Sequence, residues 1–223
     1  EAEAARRLRE RTEAALRRIA FFVVPSAVAF VAVGDQIVGL IYGTGRFGAE
    51  EVRWVWGVLA GAAVGLVAST AARLYASAFY ALRDSRTPFR FALVRVAVST
   101  SLGALLALGA PRVLPIDPRW SVAGISIAAG LAGWVEFVLL RRALARRLGP
   151  VGLASRMRWT LWGAAGTAAA AAWAARILNA PTPALLRAAL VLAVFGMVYW
   201  VFTWKAGVPE AQELRRTIFR RGR

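Results

Sequence analysis

The chain has 223 residues, 59% of them hydrophobic, and a formal net charge of +17. Soluble domains are about 45–50% apolar; here the apolar residues fall in long blocks, which excludes an ordinary soluble fold and reads as membrane spans. Cys and His are both absent, which removes disulfides, thiol nucleophiles, imidazole acid–base chemistry and the usual zinc sites.

The basic residues are 28 Arg and a single Lys, Lys205. They lie mostly between the apolar blocks, so membrane topology accounts for the charge, and no nucleic-acid reader motif accompanies it. The Arg and Ala bias fits a GC-rich genome better than it fits a function.

Residues 1–18 are highly charged and lack the apolar core and cleavage site of a signal peptide. The expectation is a piece that begins inside a longer protein. Ala5, Leu8, Ala15, Leu16 and Ile19 share one side of a predicted helix, so 1–18 forms a cytoplasmic amphipathic connector. Two readings fit it: an interfacial elbow or a plain charged helix.

Six spans follow, over 19–42, 54–82, 89–110, 120–140, 157–178 and 184–204. At about 1.5 Å per residue each is long enough to cross a ~30 Å hydrocarbon core. Turn chemistry separates them: Gly43-Thr44-Gly45, Thr87-Pro88, Pro111 through Pro118, Gly149-Pro150 and Pro181-Thr182-Pro183. The expected architecture is an all-α polytopic membrane protein with six transmembrane helices.

In the first span, Pro25 predicts a kink. Asp35 and Gln36, between Gly34 and Gly39, mark either a helix break lining an aqueous opening or the outer water boundary. The second span carries Gly57, Gly61 and Gly65, a doubled GxxxG. The fourth carries Gly124, Gly130 and Gly133, and the fifth Gly163, Gly166 and an alanine run. Such residues let backbones approach closely. Trp54, Trp56, Trp120, Trp159, Trp200 and Trp204 lie near span ends, as interfacial anchors do. Residues 207–223 form a basic tail, either touching anionic lipid or serving only as a topology signal.

Orientation follows from the connectors. With the span-end residues Arg90, Arg158, Arg176 and Arg187 counted with the adjoining connectors, the segment before the first span holds six Lys/Arg, the connectors after the second and fourth three and six, and the segment from Lys205 onward six. The three other connectors hold two each. This strict alternation, 21 against 6, predicts a bacterial inner-membrane protein with both ends of the chain cytoplasmic.

Ionisable groups inside spans cost about 2.5–3.5 kcal/mol on insertion scales, which makes them default candidates for function. Arg73 lies about ten residues from the cytoplasmic end of the second span. Ser69, Arg73, Ser77, Tyr80 and Asp84 share one helical face. Such a stripe suits a hydrated cavity that binds phosphate, because Arg pairs with phosphate oxygens in a bidentate way; an Arg that only ties helices together fits equally well. Arg95, about 9 Å into the third span, is another cavity candidate, though a snorkelling side chain is the simpler reading. Glu136, near Arg141 and Arg142, and Asp35 are candidates for energy coupling, with an interfacial ion pair as the simpler reading of Glu136. No Gly-rich phosphate loop, metal cluster or paired carboxylate is present, so no enzyme chemistry, cofactor or metal is expected.

Two stretches carry a family resemblance. Residues 37–53, IVGLIYGTGRFGAEEVR, and 73–90, RLYASAFYALRDSRTPFR, resemble the MurJ/MviN family, a branch of the MOP flippase superfamily. The second resembles that family's R-x-FYA-x-x-D-x-x-TP signature, matched at Phe79, Tyr80, Ala81, Asp84, Thr87 and Pro88. A weaker match is 122–149, a helix ending in Arg pairs before RLG. The resemblance implies part of a two-lobe helical bundle: 19–150 as the last four helices of the second lobe, 151–206 as an additional C-terminal helix pair. It implies the C-terminal part of a lipid II flippase working by alternating access, with an undecaprenyl-linked peptidoglycan precursor as substrate. Membrane lipids and cell-wall synthesis proteins are the implied further partners. A sodium-site carboxylate found in some members on the third of these spans has no counterpart here. Two rival readings stay open: another exporter of the superfamily, moving polysaccharide-linked lipid or drugs, and a non-transporting membrane scaffold.

Overall fold

The computed structural model describes residues 2–42, 48–109, 120–179 and 182–213. Among the described residues every regular element is helical: α1 (Ala2–Ala32), α2 (Gly34–Tyr42), α3 (Ala49–Ala81), α4 (Arg86–Ala104), α5 (Ser121–Leu148), α6 (Ser155–Leu178) and α7 (Ala184–Lys205). A π-helical turn, Leu105–Gly109, extends α4. The expected turns at 43–45, 111–118 and Pro181, and the end of the basic tail beyond residue 213, lie outside the described residues.

Among the described residues five helices are long and apolar enough to cross a membrane: Glu3–Ala32, Ala49–Ala81, Arg86–Gly109, Ser121–Leu148 and Ala184–Lys205. The fifth expected span, now α6, falls short on hydropathy because it opens with Arg156 and Arg158, ends near Arg176, and carries Gly163, Gly166, Thr167 and three tryptophans among its alanines. Its 24 residues still reach about 36 Å at 1.5 Å per residue. It runs from the end that carries Val151 to the end where Arg176 meets Asp35.

Side-chain contacts fix the direction of each pass. Trp56 of α3 reaches Phe30 of α1, whereas Tyr199 of α7 reaches Phe21. Asp84 meets Arg147, and Arg17 faces Glu210 at 3.9 Å. The described parts of the arginine-rich connectors therefore gather at one end of the bundle. Successive long helices alternate in direction, so α3 and α5 run parallel with α4 between them in sequence.

The seam between α3 and α5 is the most extensive helix contact. Gly61 lies against Ala123 and Ile127, and Gly65 against Gly130. A Cβ added at Gly65 would sit 2.3 Å from the Gly130 Cα, so only glycine permits this approach. The indole N–H of Trp134 donates to the Val64 carbonyl at 2.8 Å, closing the seam on one flank. Gly163 and Gly166 differ: nothing lies within 4 Å of a Cβ added at either. The expected close approach on α6 is made by its alanines instead; Ala164, Ala165, Ala168 and Ala172 are fully buried in a cluster with Val191, Phe195 and Tyr199 of α7.

The charged connector and the first span form one helix, α1, uninterrupted at residue 18 and through Pro25. Its real break comes at Val33, after Val33 N–H donates to Ala29 and before α2 begins. Both irregularities leave backbone carbonyls in need of donors, a serious cost inside lipid. Pro25 has no N–H for the Phe21 carbonyl; the Tyr199 hydroxyl supplies it at 2.7 Å. At the break, the Trp56 indole donates to the Phe30 carbonyl at 3.1 Å. Gly34 is required there, since its Cβ would meet Trp56 at 2.6 Å.

Candidate functional site

The turn from α3 to α4 holds the signature residues. Phe79 is fully buried. Arg83 takes the left-handed backbone, φ +56°, and the chain reverses as Asp84 N–H donates to the Phe79 carbonyl. The Asp84 carboxylate then accepts the Thr87 N–H at 3.0 Å and the Thr87 hydroxyl at 2.8 Å. This satisfies a donor of the first turn of α4, where Pro88 needs none. Arg147 of α5 closes the arrangement, 2.7 Å from the same carboxylate and 5.7 Å above the Phe79 ring. Hydrogen bonds from the Thr87 N–H and hydroxyl, aided by Arg147, hold the Asp84 carboxyl below its ordinary range. The signature thus builds a latch that joins α3, α4 and α5. Tyr80 and Ala81 take no part in it, and Tyr80 is 58% exposed.

Arg73, Ser77 and Tyr80 share an exposed face of α3, turned away from the seam with α5; Ser69 flanks it, half-buried beside Gly133. The Ser69 and Ser77 hydroxyls donate to their own helix, to Leu66 and Leu74. Arg73 has no ion pair or hydrogen bond among the described residues. Its guanidinium is therefore available to an anionic group approaching that face.

Arg95 stands apart from this stripe. Its guanidinium pairs with Glu136 of α5 at 3.1 Å. Glu136 in turn pairs across to α4, not along its own helix to Arg141 or Arg142. Its side chain is 11% exposed and that of Arg95 36%. Asp35 opens α2 just past the helix break, where it accepts from Gln36 at 2.9 Å and pairs with Arg176 of α6 at 2.9 Å. Its second oxygen is buried without a hydrogen-bond partner. Arg147, Arg176, Trp56 and Tyr199 are the partners that sequence reasoning missed. Their roles depend on which helices become neighbours, and no spacing along the chain encodes that. No group of His, Cys, Asp and Glu suited to a metal ion occurs among the described residues.

Long apolar helices, backbone irregularities satisfied by neighbouring helices and ion pairs held inside the bundle define a multi-pass α-helical membrane protein. A sequence model of the family described as "Lipid II flippase MurJ" matches residues 1–201, and the chain belongs to that family. It is 30% identical over 211 residues to a probable lipid II flippase MurJ of Rhizobium meliloti, covering 90% of this chain and 37% of that protein. A probable lipid II flippase MurJ of Rhizobium tropici is 32% identical over 129 residues, 58% of this chain and 22% of the relative. One of Thermotoga maritima is 26% identical over 145 residues, 63% and 28% respectively. The chain thus spans about a fifth to a little over a third of these relatives.

Proposed function

We propose that this chain is the C-terminal part of a transporter that moves the lipid-linked peptidoglycan precursor, lipid II, across the bacterial inner membrane by alternating access. The observation that carries the reading is Arg73, a guanidinium without a partner among the described residues, on an exposed face within a span. In a hydrated cavity it would pair with a pyrophosphate oxygen, while the polyprenyl tail stays in lipid. In this reading 19–150 forms the end of the second lobe, and α6 and α7 are the additional pair along which the tail runs. The arginine-rich end faces the cytoplasm, following the positive-inside rule. An inside-negative potential then favours expulsion of the anionic headgroup by about 2.3 kcal/mol per charge per 100 mV. A drug exporter is less well supported, because a cationic cargo calls for a free acidic group, and both Asp35 and Glu136 are already paired with arginine.

The test is Arg73→Ala in the full-length protein, expressed in a flippase-depleted strain. The expected outcome is normal membrane insertion with loss of growth rescue and of lipid II translocation, and partial recovery with Arg73→Lys. Full rescue by Arg73→Ala removes Arg73 from the mechanism.

A further inference from the structure

Two cavities meet at the arginine-rich end of the bundle, away from the Arg73 face. The first, about 440 Å³, lies between the start of α1, α5 and the segment leading into α6. Arg9, Glu13 and Arg17 line it from successive turns of α1, and Arg141 faces them from α5. Glu13 engages Arg9 at 3.2 Å, and Glu210 stands 3.9 Å from Arg17. Arg141 has no ion pair or hydrogen bond among the described residues, so the pocket keeps an uncompensated positive charge. Gly152 lines it beside the Arg141 guanidinium, where a Cβ would rest in ordinary contact at 3.6 Å.

The second cavity, about 200 Å³, begins where the first ends; both are lined by Arg141, Gly152 and Leu153. It is an apolar slot descending between α1, α3, α5 and α6. Ile19, Val23, Val67 and Trp162 line it, and Arg158 adds a further positive charge. A cationic chamber opening into an apolar slot at one membrane level matches the two halves of an anionic lipid. The headgroup phosphate would take the arginines and an acyl chain the slot.

We infer that this double cavity is a binding site for an anionic glycerophospholipid from the leaflet at the arginine-rich end, with Arg9, Arg17 and Arg141 on the phosphate and one acyl chain between Ile19, Val23 and Trp162. The bound lipid holds α1 against α5 and the start of α6. The site is separate from the Arg73 face and does not depend on which lipid is transported.

The test uses the full-length protein in detergent, with bound lipid counted by native mass spectrometry. Phosphatidylglycerol and phosphatidylcholine are added in parallel. Three variants are compared: Arg9→Gln, Arg17→Gln and Arg141→Gln combined; an equal-charge control, Arg142→Gln, Arg146→Gln and Arg156→Gln combined; and the slot-filling Val23→Trp. The expected result is preferential binding of phosphatidylglycerol, weakened about tenfold by the pocket triple variant and by Val23→Trp but not by the control. Ile19→Trp replaces Val23→Trp should the latter elute as aggregate. Equal loss in both triple variants would mean diffuse charge attraction and overturn the site. Displacement by millimolar inorganic phosphate, with the slot-filling variant unaffected, would mean a free-anion pocket and overturn the lipid assignment. Phosphatidylglycerol binding can fail while Arg73-dependent lipid II transport persists, so the two proposals fall separately.

Discussion

The α3–α5 seam and the α1–α6–α7 cluster are both built from small residues, yet they hold together in different ways. In the first, glycine meets glycine backbone to backbone, and the Gly65–Gly130 approach leaves no room for a methyl group. In the second, alanines fill the interface, the glycines of α6 face open space, and the α1 carbonyl orphaned by Pro25 is capped by Tyr199. Small residues alone therefore do not say how close two membrane helices come. What decides is whether each Cβ-less position points at the neighbouring backbone.

The contrast can be broken most sharply at Gly65. Gly65→Val should cost at least about 3 kcal/mol, because rigid backbone and no flexible side chain stands in the way. The full-length protein should then aggregate on extraction. Gly163→Ala should leave the melting temperature unchanged or slightly raised, since alanine has the better helix propensity. Fluorescence-detected gel filtration after a heating series measures both.

A smaller effect is expected at the ion pair that ties α4 to the first region. Glu136→Ala leaves Arg95 uncompensated between helices and should cost about 2 kcal/mol, moderated by the partial exposure of Arg95. Combining it with Arg95→Leu should recover part of the loss in the same melting assay. In the second region, Tyr199→Phe strips the donor from the Phe21 carbonyl and should cost about 1–2 kcal/mol. An equal melting point for this variant would mean that another donor, or water, reaches that carbonyl.

The latch at Asp84 should respond to pH. Its carboxyl is held below the ordinary value of 3.8 in the folded protein. The latch is therefore fully present above about pH 4 and is lost as pH falls through the lowered value. Asp84→Asn should show a smaller stability loss over that acid range than the unaltered protein, in parallel melts at pH 5 and pH 3.

Much of this was legible in the sequence. Apolar blocks set the helices, Arg-rich connectors set their alternation, and Gly57, Gly61 and Gly65 pointed to tight packing without saying against which helix. Thr87-Pro88 marked a turn and the family signature singled out Phe79, Asp84, Thr87 and Pro88, but the bonds from Thr87 to the Asp84 carboxylate were visible only in the fold. Other features depended on which helices become neighbours. Asp35 and Arg176 are far apart in the chain, and Glu136 lay nearer in sequence to Arg141 than to Arg95. Pro25 suggested a kink, but the break fell eight residues later, where Trp56 packs against Gly34. The low hydropathy of α6 was hidden by its length, since its alanine run masks the arginines, glycines and tryptophans spread along it.

Outward transport of an anionic headgroup requires the arginine-rich end to face the cytoplasm. Because the chain has no cysteine, single Cys residues introduced into an otherwise Cys-free full-length protein report topology directly. In intact cells, a membrane-impermeant maleimide should label Glu50→Cys readily. It should label Ser155→Cys only after the membrane is permeabilised. Labelling of Ser155→Cys in intact cells would contradict the orientation, and the proposed direction of transport with it.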